Sequence, residues 1–93
     1  MNFPVWMVFK KKHIGQTEIL IYGDFVGGFG DVPGHWNTKH WKLVIKSETA
    51  KRIWLFEQEE YNLTGKEVKQ MVIDLYDKIN SEKIVDSLLR EES

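Results

Sequence analysis

The chain reads as an α+β domain, a four-stranded antiparallel β-meander packed on two C-terminal helices, and three observations carry that reading. Residues 1–57 run in short stretches rich in β-formers, punctuated by turn residues. Residues 58–93 hold two amphipathic stretches at helical spacing, each behind a capping residue. Charge divides in the same way. Residues 1–56 carry eight Lys/Arg against four Asp/Glu, a balance of +4, and residues 57–93 carry five against ten, a balance of −5. Ninety-three residues make one domain with a single core. The basic β half and the acidic α half are therefore the two layers of one ββββαα fold.

The first strand is Val5, Trp6, Met7, Val8 and Phe9, apolar on both parities. Apolar side chains on both faces predict a strongly curled sheet or a dimer contact at this strand. Lys10, Lys11 and Lys12 end it and lead into a turn at residues 13–16. Thr17 to Phe25 is the returning strand. Residues 26–34 contain four Gly and one Pro, a density of breakers that leaves a loop. Residues 35–40 continue the loop or begin an edge strand. Trp41 to Lys46 and Lys51 to Glu57 form the last hairpin.

The turn of that hairpin fixes which way every side chain faces, because a one-residue slip exchanges the two faces of a strand. Ser47, Glu48, Thr49 and Ala50 include no Gly or Asn. A two-residue loop would force β-branched Thr49 to positive φ, and a three-residue loop requires Gly in the left-handed region. A four-residue loop built on a type I turn remains. It pairs Lys46 with Lys51, Ile45 with Arg52, Leu43 with Trp54 and Trp41 with Phe56. Trp41, Leu43, Ile45, Trp54 and Phe56 then form the core face, with Arg52 at its turn end. Lys42, Val44, Lys46, Lys51, Ile53, Leu55 and Glu57 form a half-wet second face.

Helix one begins at a capping box, Thr64-Gly65-Lys66-Glu67. Val68, Met71, Val72, Leu75 and Ile79 follow on one stripe. Ser81 caps helix two, whose apolar side is Ile84, Val85, Leu88 and Leu89. Residues 90–93 are expected to fray.

Composition narrows the chemistry. Cysteine is absent, so disulfides and thiolate metal sites are excluded, which fits a reducing compartment. The N-terminal residues show no secretory pattern, and no apolar run approaches the ~20 residues that span a bilayer. A cytoplasmic protein with no membrane association is expected.

Gly27, Gly28 and Gly30 suggest an anion cradle, but a phosphate-binding loop opens directly into a helix, and here Asp31, Val32 and Pro33 follow. His35 and His40, with Asp31, suggest a metal site. In an extended segment these histidines point to opposite sides, and no third ligand has a recognised spacing. No serine sits in a nucleophile elbow. Asp24 and Asp31 flank the loop as a carboxylate pair without a further catalytic partner. No enzyme activity and no cofactor are expected.

Binding is the expectation that remains. The long Gly/aromatic loop with the adjoining basic sheet face predicts a non-enzymatic protein-interaction module of the inhibitor, immunity or accessory kind carried by phages. Its partner surface comprises Phe25, Phe29, Asp31, His35, Trp36, Lys39, Lys42, Lys46 and Lys51. The partner is a protein, and the chain itself is a monomer or homodimer. An alternative is a nucleic-acid-binding domain using the same face, because Lys10, Lys11, Lys12, Lys39, Lys42, Lys46, Lys51 and Arg52 all lie in the β half. Against it, the indoles of Trp41 and Trp54 go to the core face. A third is a small enzyme or metal-binding protein centred on Asp31, His35 and His40.

Overall fold

The computed structural model describes residues 6–24 and 40–90. Four strands, β1 (Trp6–Ile14), β2 (Thr17–Asp24), β3 (His40–Lys46) and β4 (Lys51–Glu57), precede helices α1 (Gln58–Tyr61), α2 (Gly65–Lys78) and α3 (Glu82–Arg90). The strands form one antiparallel sheet in the order β1-β2-β3-β4. The α+β meander with C-terminal helices is therefore the fold of this chain. No helix among the described residues is long and apolar enough to cross a membrane.

The counted register of the last hairpin is the observed one. Lys46 pairs with Lys51, Leu43 with Trp54 and Trp41 with Phe56. Ser47 closes the loop with its backbone and its side chain together. Its N–H donates to the Ala50 carbonyl at 2.8 Å, and the Ala50 N–H donates to Ser47 Oγ at 3.1 Å.

The first strand departs from expectation. It does not stop at Phe9 but runs through all three lysines to Ile14, and the turn shrinks to Gly15 and Gln16. Gly15 has φ 62°, which puts the glycine at the first central position of a two-residue hairpin loop. A Cβ there would also run into the Glu82 carboxylate at the start of α3. The lysines fit inside a strand because a bulge falls just before them. Val8 pairs with Tyr22 and Lys10 with Ile21, leaving Phe9 as the extra residue.

That bulge sets the faces of β1. Phe9 and Lys10 both turn toward the helices. Phe9 meets Trp41 edge-on at 5.3 Å, and Lys10 and Lys12 stand over the Tyr76 ring. Lys12 Nζ also donates to the Tyr76 carbonyl at 2.7 Å. Their long stems cover apolar surface while the ammonium heads reach a ring and a carbonyl near the C-terminus of α2, where positive charge is favoured.

Between the layers, Ile19, Ile21, Trp41, Leu43, Ile45 and Phe56 from the sheet meet Val68, Val72, Tyr76, Ile79 and Val85 from the helices. Burying each such side chain contributes roughly 1.5–3 kcal/mol. Trp41 is only 1 % exposed, and it fits because its cross-strand neighbour is Gly23.

The capping box of α2 is complete. Glu67 N–H donates to Thr64 Oγ1 at 3.2 Å, and Thr64 N–H donates to Glu67 Oε1 at 2.9 Å. Ser81 caps α3 through its hydroxyl, which accepts from Ile84 N–H at 3.4 Å.

Three expectations about the helical half need correction. The buried row of α2 is Val68, Val72 and Tyr76, rotated from the expected stripe, so Met71 and Leu75 sit at its margin only partly buried. A one-turn helix, α1, precedes the capping box and ends on Asn62 in the left-handed region at φ 53°. Arg90 is the last residue of α3 rather than part of a frayed tail.

Candidate functional site

The three helices among the described residues follow the sheet, and their core contacts go to one of its faces. The strand registers place sixteen side chains on the other face in four cross-strand rows. The first row is Trp6, Asp24, His40 and Glu57. The second is Val8, Tyr22, Lys42 and Leu55. The third is Lys11, Leu20, Val44 and Ile53, and the fourth is His13, Glu18, Lys46 and Lys51.

The second row is the most exposed apolar part of the face. Val8 is 47 % and Leu55 48 % exposed, as is Ile53 at 48 % in the row beside them. Between them Lys42 stands over two rings, with Nζ 4.3 Å from the Trp6 centroid and 5.2 Å from that of Tyr22. Leu20 and Val44 are buried even though they lie on this face.

Charge is concentrated in the outer rows. His40 lies between two carboxylates, Nδ1 at 3.1 Å from Asp24 Oδ2 and Nε2 at 3.4 Å from Glu57 Oε2. Asp24 is almost completely buried and Glu57 is open to solvent on one side. A doubly protonated imidazole can donate to both; a neutral ring can donate to only one. In the fourth row Glu18 lies 3.6 Å from His13 and 3.9 Å from Lys46.

Of the expected partner-binding residues, Lys42, Lys46 and Lys51 share this face. Phe25, Phe29, Asp31, His35, Trp36 and Lys39 lie outside the described residues, as does the Asp24–Asp31 pairing. The loop expected at residues 26–34 lies outside them as well. His40 begins an interior strand, not an edge strand, and both its nitrogens face carboxylates. Among the described residues no group of three or more His, Cys, Asp or Glu could hold a metal ion.

The basic residues of the β half divide between the two faces of the sheet. Lys10, Lys12 and Arg52 lie on the helix side, Arg52 over the Trp54 ring at 5.2 Å. Lys11, Lys42, Lys46 and Lys51 occupy the open face together with Glu18, Asp24 and Glu57. Alternation along β1 sends Lys11 to the face opposite Lys10 and Lys12, and the bulge at Phe9 decides which face each takes.

Trp6, Tyr22 and Glu57 carry no site signal in the sequence, where Asp24 and His40 stand out only beside Asp31 and His35 and not as partners of each other. Parity within β3 and β4 places Lys42 and Glu57 on one face, but the segment of residues 25–39 hides the β2–β3 register. Compared with known protein families, curated proteins and solved structures, the chain matches none.

Proposed function

We propose that this protein is a non-enzymatic interaction module that binds a partner protein through the open face of its sheet. One observation carries the proposal. Val8, Ile53 and Leu55 are each about half exposed on the face that none of the helices among the described residues covers, grouped around Lys42 on its two rings. Exposed aliphatic side chains around an aromatic and cationic centre suit a protein surface that offers apolar side chains and a carboxylate. An inhibitor, immunity or accessory role of the phage kind is the class of task such a module would serve.

Nucleic-acid binding ranks second. Trp6 and Tyr22 supply rings beside a lysine, but three carboxylates share the face and Trp41 is buried. A phosphate backbone would meet a nearly balanced surface rather than a basic one.

Affinity capture from the source organism with the wild-type chain, a Val8→Asp/Lys42→Glu variant and a Lys83→Glu control on α3 tests the proposal. The partner is expected with wild type and control and is lost with the face variant. Equal capture by the face variant overturns the proposal. Tryptophan fluorescence that responds to a short single strand at low salt, and ceases to respond in Lys42→Glu, moves the reading to nucleic acid.

A further inference from the structure

The sheet ends in two edge strands of very different character. The β1 edge is interrupted by the bulge at Phe9 and carries three consecutive lysines, one of them tied to α2 through the Tyr76 carbonyl. Bulges and edge lysines are features that prevent edge-to-edge association. The β4 edge has no bulge, and its basic residues are confined to its first two positions, Lys51 and Arg52. Its register with β3 is continuous over all seven residues, and it contains no Pro or Gly. Its open-face residues Ile53 and Leu55 are each 48 % exposed.

The order of residues along β4 is complementary to itself. Lys51 and Arg52 stand at its start and Glu57 at its end, with the apolar positions between them. A strand laid antiparallel to a copy of itself, with the two-fold axis at Trp54, places Lys51 opposite Glu57 of a second copy. Ile53 then falls opposite Leu55 of that copy, and Trp54 opposite its own equivalent. On the open face the seam becomes two apolar pairs flanked by two ion pairs. On the helix side Arg52 falls beside Phe56 of the second copy.

Neighbouring registers lose this match. Moving the axis to Ile53 sets Lys51 against Leu55, and moving it to Leu55 sets Glu57 against Ile53. Parallel in-register pairing sets Lys51 against Lys51, a destabilising like-charge pair.

We infer that β4 is a self-association edge, and that two copies of this chain join through it into one continuous eight-stranded antiparallel sheet. Such a contact is isologous and closes on itself. It uses backbone groups along the edge, shares Ile53 and Leu55 with the proposed partner-binding face, and leaves Val8, Tyr22 and Lys42 uncovered, so variants at Val8 and Lys42 distinguish the two.

Sedimentation equilibrium on the purified chain tests the inference with a charge-reversal cycle. Wild type is expected to dimerise. Lys51→Glu and Glu57→Lys should each raise the dimer dissociation constant about ten-fold, because each sets like charges opposite at both ends of the seam. The double variant Lys51→Glu/Glu57→Lys should restore it to within about three-fold of wild type. Circular dichroism melts of the three variants establish that each is folded. A wild-type chain that stays monomeric at every concentration overturns the inference, and so does a dimer indifferent to both single reversals. Val8→Asp/Lys42→Glu should dimerise like wild type, which separates this result from the fate of the partner-binding proposal.

Discussion

Lys12 holds Tyr76 twice, once by its backbone and once by its ring. The ammonium donates to the Tyr76 carbonyl at 2.7 Å and stands 4.2 Å from the ring centroid. One side chain thereby fastens the first strand of the sheet to the last turn of α2, sixty-four residues further along the chain. Lys12→Ala removes the hydrogen bond, the cation–aromatic contact and the packing of the stem, and should cost about 1–2 kcal/mol in urea unfolding. Lys12→Met keeps the stem and should recover part of that loss.

The same contact gives alkaline pH a signature. Burial, opposed in part by Asp77, holds the Lys12 ammonium below its ordinary range, and Lys10 pushes in the same direction as burial. Between its folded and unfolded pKa the unfolded chain binds more protons at Lys12, so this residue's contribution to stability rises as pH climbs toward 10.5. Burial, with Asp77 adding to it, pushes the Tyr76 phenol up instead. Its contribution is complete below 10.0 and is lost as pH rises through the folded value. Tyr76→Phe should remove the phenolate absorbance transition that lies above the ordinary tyrosine range. An unchanged titration in that variant would contradict the assignment.

Gly15 is constrained from two directions. Gly15→Ala should cost about 1–2 kcal/mol from the left-handed backbone alone, with only a small further cost from displacing the Glu82 carboxylate, the free end of an exposed, flexible side chain. Glu82→Ala in the same chain should relieve the second cost and leave the first. Thermal melts of the two single variants and the double variant separate them.

Acid should weaken the start of α2. The Thr64 backbone N–H and then its hydroxyl hold the Glu67 carboxyl below its ordinary value. Its contribution to stability is present above 4.5 and is lost as pH falls through the folded value. Thr64→Ala should cost about 1 kcal/mol near neutral pH, whereas Glu67→Gln, which removes the titrating carboxyl, should flatten that acid-dependent segment of the melting curve.

The two carboxylates around His40 should be unequal in weight. Asp24 is 3 % exposed, and an imidazole partner there is worth about 1–3 kcal/mol. Glu57 is far more open, so Glu57→Ala should cost at most about 1 kcal/mol. Equal losses for Asp24→Ala and Glu57→Ala in urea titrations would show that burial does not rank them.

Local interactions are what the sequence by itself determined. The β3–β4 register follows from the chemistry of the four residues at 47–50, and the start of α2 from the Thr64/Glu67 pair, because each is settled among residues a few positions apart. The inward course of Trp41 and Leu43 follows from that register. Tertiary structure decided what parity cannot reach. The extra residue at Phe9 sent Lys10 and Lys12 to the helices and Lys11 to the open face, and a bulge leaves no signature in a run of three identical residues. Tyr76 displaced Leu75 from the buried row because the β1 lysines supply partners for its ring. Trp6, Tyr22 and Lys42 became neighbours only when β1, β2 and β3 aligned, since cross-strand proximity is a property of the sheet rather than of any one strand.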